Sequence, residues 1–239
     1  MSERELPPLP DSFQATRESL HRVAEDLVKV AREHSTGEFS LAQTPGGFGT
    51  PPFGDEAETR IRVEGADLVV SQRGRERRAP ITSLAAAAEL IGSDLLPPGV
   101  ELPDQPLDLD EAAAMALAET YAVGQEALER IRAEAGAGDD PTDPTLWPEH
   151  FDLAIEMGPE GAGLRCNYGL SPGDENHRQP YFYVGPWTAR PAGPLWNGDG
   201  FPGAELSYRE LRASADPVGA AVEFALTRKS ALENAKEEG

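Results

Sequence analysis

The sequence predicts an α+β fold made of two similar helix–strand–loop–strand–helix halves, forming mainly antiparallel sheet covered by helices. Three observations predict it. Each half opens on a helix-period apolar stripe behind a capping residue, each continues into short alternating segments punctuated by Gly and Pro, and several blocks recur in the same order in both.

In the first half, Phe13, Leu20, Val23, Ala24, Leu27, Val30 and Ala31 recur at helical spacing, with Asp11 and Gln14 as a capping box and Gly37 as the stop. Phe39 to Gln43 reads as a short strand. Thr44 to Pro52 crowds glycine with proline and is expected to be a loop. Arg60 to Val63 and Leu68 to Gln72 flank Glu64-Gly65-Ala66-Asp67, a hairpin signal. Ser83 then caps an alanine-rich helix from Leu84 to about Leu96.

Four prolines between Pro97 and Pro106 make that stretch an extended connector. Beyond it, Asp108 and Glu111 form a second capping box for a helix striped by Leu117, Tyr121, Leu128 and Ile131. Strands are expected over Phe151 to Met157, Leu164 to Leu170 and Pro180 to Trp187. Ser207 with Glu210 caps a short helix, and Asp216-Pro217 supplies an N-cap and a first-turn proline for the last one. The organisation expected is a disordered tail over 1–10, a first half over 11–96, a connector over 97–107 and a second half over 108–236, as one globular domain.

The recurring blocks are Phe39-Ser40-Leu41-Ala42 with Phe151-Asp152-Leu153-Ala154, and Thr50-Pro51 through Gly54-Asp55-Glu56 with Ser171-Pro172-Gly173-Asp174-Glu175. Their common order, with a long helix ahead of each set, points to duplication of one unit.

The totals exclude several function classes. The formal charge is -21, from 42 acidic and 21 basic residues, which repels phosphate backbones and anionic lipid, so neither nucleic acid nor membrane is an expected partner. No run approaches the ~20 apolar residues of a membrane span. The single cysteine, Cys166, precludes an intrachain disulfide, and Met1 to Pro10 lacks the apolar core of a secretory signal; a cytoplasmic location is expected. The phosphate-loop, dinucleotide and nucleophile-elbow signatures are absent, and no cofactor is expected.

Chemistry concentrates in the second half, which holds all three tryptophans. The candidate ligand-binding residues are Trp147, His150, Asp152, Asp174, Glu175, Tyr181, Tyr183 and Trp187. Tyr181 and Tyr183 alternate to one face of a strand, and the acidic pair follows a Pro-Gly turn beside them. That turn explains Asp174 without a ligand. Core packing is the expected fate of Trp187 and Trp196, though Gly185-Pro186 and Asn197-Gly198-Asp199-Gly200 put both beside loops. Cys166 reads as a small packing residue. A divalent metal would recruit His150, Asp152, Asp174, Glu175 and His177, but their spacing matches no established ligand pattern.

The blocks Trp147-Pro148-Glu149-His150-Phe151-Asp152-Leu153-Ala154, Ser171-Pro172-Gly173-Asp174-Glu175 and Pro180-Tyr181-Phe182-Tyr183-Val184, followed by Phe201-Pro202-Gly203-Ala204 and Tyr208-Arg209-Glu210-Leu211, resemble those of a bacterial family of unknown function. The likeness extends over nearly the whole chain, with Phe39 to Ala42 shorter and poorer in aromatics than that family's pattern. It implies no activity. The reading is therefore of a protein that binds a small molecule in a pocket lined by Tyr181, Tyr183, Trp187 and the two Gly-Asp-Glu loops. The alternatives are a metal-assisted hydrolase using His150, Asp152, Asp174, Glu175 or His177, and a protein-interaction scaffold.

Overall fold

A computed structural model describes residues 4–175, 177–188, 193–198 and 200–237. Its elements are helix α1 (Phe13–Val23), a π turn (Ala24–Val28), α2 (Lys29–Thr36), strands β1 (Ala42–Thr44), β2 (Gly47–Gly49), β3 (Arg60–Glu64), β4 (Asp67–Gln72) and β5 (Arg75–Pro80), then α3 (Leu84–Ile91) and α4 (Glu111–Ala133). Next come β6 (Thr145–Trp147), β7 (Asp152–Met157), β8 (Cys166–Ser171), β9 (Tyr181–Pro186), β10 (Ala204–Ser207), α5 (Tyr208–Ala213) and α6 (Pro217–Glu237). The fold is α+β, with two five-stranded antiparallel sheets in the orders β1-β2-β3-β4-β5 and β10-β9-β8-β7-β6. No helix among the described residues is long and apolar enough to cross a membrane.

The chain divides into two compact units, one of Pro8–Ala122 with Thr145–Phe151, the other of Met1–Pro7, Val123–Pro144 and Asp152–Gly239. The boundary at Ala122 falls inside α4 rather than in the proline-rich connector. That connector is tied down by backbone bonds from Ala85 N–H to Pro103 O and from Leu107 N–H to Thr82 O, and by Ser83 Oγ–H to Asp104 Oδ1 at 2.7 Å.

Within the first of these units, the helix of α1, the π turn and α2 buries Phe13, Leu20, Val23, Leu27 and Ala31, as the stripe requires. Its start differs from the capping box expected: Ser12 is the N-cap, and Gln14 Nε2–H donates to Glu18 instead. Strand β2 occupies the Gly-Pro stretch read as a loop. A Cβ on Gly47 or Gly49 would lie 2.3 Å from the carbonyl oxygen of Val63 or Ile61, so these glycines admit the close approach of β3. Strand β5, Arg-Glu-Arg-Arg-Ala-Pro, is largely exposed and has no apolar alternation to announce it; Arg73 and Gly74, both at positive φ, form the two-residue turn leading into it. Ser83 caps α3 as expected, accepting from Ala86 N–H at 3.1 Å. Asp110, not Asp108, caps α4: its Oδ1 accepts from Ala113 N–H at 2.9 Å, while Asp108 N–H donates to Ser19 Oγ.

Phe151 sits at φ 57, a left-handed conformation uncommon for so bulky a residue. Its surroundings hold it there. Its N–H donates to Trp147 O at 2.7 Å and its carbonyl accepts from Tyr121 O–H at 2.5 Å. Its ring stacks on His21 at 5.1 Å and meets Phe48 and Tyr121 edge-on. His21 Nε2–H in turn donates to Pro148 O at 2.8 Å. The Trp-Pro-Glu-His-Phe block is thus a packed turn with its own structural account.

In the other unit, strands β7 to β10 present one apolar face, through Leu153, Ile155, Tyr168, Leu170, Phe182 and Val184, all buried. Helix α6 covers it, Phe182 meeting Phe224 edge-on at 6.3 Å, and α4 approaches at Gly124, where an added Cβ would lie 3.0 Å from Leu170. Lys229 Nζ on α6 pairs with the buried Asp139 at 3.1 Å. Residues 4–7 of the tail expected to be disordered are held here: Leu6 is buried, Arg4 Nε pairs with Glu126 at 3.1 Å, and Pro7 O accepts from Tyr208 O–H at 2.8 Å. Residues 1–3 lie outside the described residues. The expected capping box of Ser207 and Glu210 and the Asp216 cap, accepting from Gly219 N–H at 2.9 Å, are both present.

Both halves of the chain follow a long helix with five sequential strands and a helix. The matched blocks are nonetheless offset by one strand. Phe39 to Ala42 leads into the first strand of its sheet and Phe151 to Ala154 into β7, the second in chain order of the other; the acidic turns likewise precede β3 and β9, third and fourth.

Candidate functional site

The face of β7 to β10 opposite α6 carries four of the eight candidate residues, Asp152, Tyr181, Tyr183 and Trp187. Register sets it: Tyr183 lies opposite Gly169 and Glu205, and Tyr181 opposite Ser171 and Ser207, so these side chains share a face with Asp152 on β7. Tyr183 O–H donates to Asp152 Oδ2. Gly169 makes this reach possible, since a Cβ there would lie 2.6 Å from the Tyr183 ring and hydroxyl. Burial, reinforced by the Asp152 carboxylate, pushes the Tyr183 phenol well above its ordinary range, and burial also raises Tyr181.

Around these tyrosines stand Phe201, 6.2 Å from Tyr183 and 6.3 Å from Tyr181, and His177, 4.9 Å from Tyr181. His177 Nε2 is 3.3 Å from Glu205 Oε2. Asp174 is accounted for by its turn: its Oδ1 accepts from His177 N–H and its own N–H donates to His177 O, both at 2.7 Å. Glu175 is exposed beside it. Asn176 and Asp199 lie outside the described residues.

Trp147 and His150 are in the other unit, with Asp55. Trp147 packs 6.0 Å from Phe39, and His150 and Asp55 are exposed. Among the described residues no three His, Cys, Asp or Glu side chains are gathered to hold a metal ion. Cys166 is buried, and burial raises its thiol to about 12, so it is a packing residue without thiolate character near neutrality.

Trp187 departs from the core packing expected of it. Trp196 is 3% exposed, but Trp187 is 48% exposed. It follows β9, its N–H extends the ladder to Arg165 O at 3.0 Å, and alternation places it on the same face as Tyr183. Its indole is fixed from two sides. Nε1–H donates to Asn167 Oδ1 at 2.7 Å, and the Arg165 guanidinium lies 5.3 Å from the ring centroid.

Beside it opens a cavity of about 420 Å³ lined by Gly138, Asp140, Glu156, Pro159, Glu160, Arg165 and Trp187. Arg165 donates to Glu156 Oε2 at 3.1 Å and to Gly158 O at 3.3 Å. A second cavity, about 460 Å³, lies in the other unit between α3 and the connector, lined mainly by Ala85, Ala88, Leu96, Pro98, Val100 and Leu102. It offers few polar groups to orient a ligand.

The chain matches no family model, no curated protein and no solved structure. The site therefore rests on its own geometry. The sequence pointed to Tyr181, Tyr183, Asp152 and Trp187, whereas Arg165, Asn167, Glu156 and Glu205 join them only through strand pairing and Phe201 through its ring contacts with the tyrosines. The one sequence signal for the latter group was a polar residue interrupting an otherwise apolar strand, as Glu156 does in Asp152–Met157.

Proposed function

We propose that this protein binds a small molecule on the aromatic face of the second sheet, in the cavity walled by Trp187. One observation carries the reading. A large apolar ring is left about half exposed at a cavity wall while its N–H and one face are held by Asn167 and Arg165. Exposure of a fixed indole costs apolar burial, and contact with a ligand is what recovers it. The likeness of the three sequence blocks to a bacterial family of unknown function belongs to the same proposal and brings no activity with it.

The test is thermal denaturation of the full chain against a broad set of soluble metabolites, with Trp187→Ala as control. A ligand of the folded state raises the melting temperature by mass action. The expected result is a concentration-dependent rise in the wild type that the variant loses. A set that shifts neither protein, or both equally, overturns the proposal.

A further inference from the structure

Resting on that reading, we infer that the Trp187 cavity takes a small organic cation, a compact alkylammonium. The decisive feature is the mismatch between what the cavity wall offers and what it has already used. Among the described residues its one guanidinium, Arg165, is engaged: one Nη donates to Glu156, the other to the carbonyls of Gly158 and Asp140, and its Cζ lies 5.3 Å from the Trp187 ring centroid. The positive charge at the wall is thereby paired with Glu156, and three of its five N–H donors are used.

Beside that paired guanidinium the lining presents the indole of Trp187 and the exposed Asp140 and Glu160 to a ligand. An indole face attracts cations through its quadrupole. Carboxylates add to that attraction and repel anions. The chain's formal charge of -21 raises the local concentration of cations at such a cleft. A neutral ligand of the same shape would gain the apolar contact alone. An acidic one would meet three carboxylates against one guanidinium already paired.

The volume of about 420 Å³ suits a molecule of modest size. A quaternary ammonium fits the chemistry well, because its methyl groups pack on the ring while the charge stays close to it. Burying the cation against Trp187 without stripping every carboxylate of water is what the partly open wall permits.

The experiment titrates the full chain, by tryptophan fluorescence and calorimetry, with three probes of nearly one shape: choline, its neutral carbon isostere dimethylbutanol, and the anion dimethylbutanoate. Choline is expected to bind at least about 10-fold more tightly than the isostere, the anion not measurably, and added salt is expected to weaken choline. Trp187→Ala should lower choline affinity about 10-fold or more, and Glu160→Gln by a few-fold, both with unchanged circular dichroism. Equal binding of choline and the isostere, or preference for the anion, overturns the cationic assignment and leaves the cavity reading standing. The cationic assignment also falls if none of the three binds while a metabolite of the thermal screen still acts through Trp187. Failure of both experiments removes both claims.

Discussion

Tyr183 reaches Asp152 by lying across Gly169, so a hydrogen bond between β9 and β7 passes over the strand that separates them. The glycine is a spatial requirement of that bond. Gly169→Ala should force the ring aside and destabilise the protein by about 1–3 kcal/mol, the usual cost of overpacking. Tyr183→Phe keeps the ring and removes the donor to a carboxylate, which costs about 1.5–3 kcal/mol. Urea denaturation of the two single variants and the double variant checks this. The double variant should lose clearly less than the sum, because both act on one bond.

Alkaline pH offers a second measurement. The phenols of Tyr168, Tyr181 and Tyr183 are all raised, in each case first by burial. Lys229 is raised too: burial lowers it, but its bonds to Glu233 and Asp139 outweigh that. A raised folded-state pKa means the folded chain holds the proton more tightly than the unfolded one. That stability is complete below the unfolded values, near 10 for tyrosine and about 10.4 for lysine, and is lost as pH rises from there through the folded values. The Cys166 thiol, raised to about 12 from an unfolded value of about 8.5, adds to this, so stability should be level up to about pH 8, decline above it and fall steeply above about pH 10. None of the five tyrosines is exposed, so the tyrosinate absorbance of these three should appear only with unfolding.

The left-handed Phe151 supplies a third. Tyr121→Phe deletes the hydroxyl that satisfies the Phe151 carbonyl while leaving the edge-on ring contact at 5.6 Å. The expected loss is about 1–2 kcal/mol, from a buried acceptor left without its donor. Phe151→Gly relieves the backbone but empties the space among His21, Phe48 and Tyr121, so it should cost more, about 3 kcal/mol or above. Denaturant midpoints of the two variants decide whether ring packing outweighs backbone strain at this position. If Phe151→Gly stabilises, the packed-turn account of the Trp-Pro-Glu-His-Phe block fails.

How much of this was readable from the sequence divides along the range of the interactions. Three of the five local cap signals held: Ser83, Ser207 with Glu210, and Asp216 before Pro217 each cap a helix through bonds within three residues, whereas the boxes expected of Asp11 with Gln14 and Asp108 with Glu111 did not form. The Gly65-Ala66 turn joins β3 to β4 as the hairpin signal implied. Long-range signals did not. Strand β2 hides in glycines whose reason is the nearness of β3, and β5 is a polar edge strand defined by its partner alone. Asp108 and Asp110 look alike as caps until Ser19 and Thr16 take up their N–H groups and fix where α4 starts. The site shows the same split. Alternation put Tyr181 and Tyr183 on one face, but only cross-strand register brings Asp152 and Glu205 to them and Arg165 to Trp187.

The capping box at α5 gives a final test, on the acid side. Glu210 is held below the ordinary carboxylate range, first by the Ser207 hydroxyl and then by the Ser207 N–H. Its depressed folded pKa contributes stability above the unfolded value of about 4.3, lost as pH falls through the folded value. Ser207→Ala removes the hydroxyl that caps Glu210 N–H and also bonds the carboxylate, so it should cost about 1 kcal/mol at neutral pH. Below the folded pKa of Glu210 the carboxylate part of that loss disappears, and wild type and variant should converge as acid is added. Chemical denaturation across the acid range measures the gap. A gap that stays constant there would mean that the hydroxyl acts on the helix backbone alone and that Glu210 takes no part in the cap.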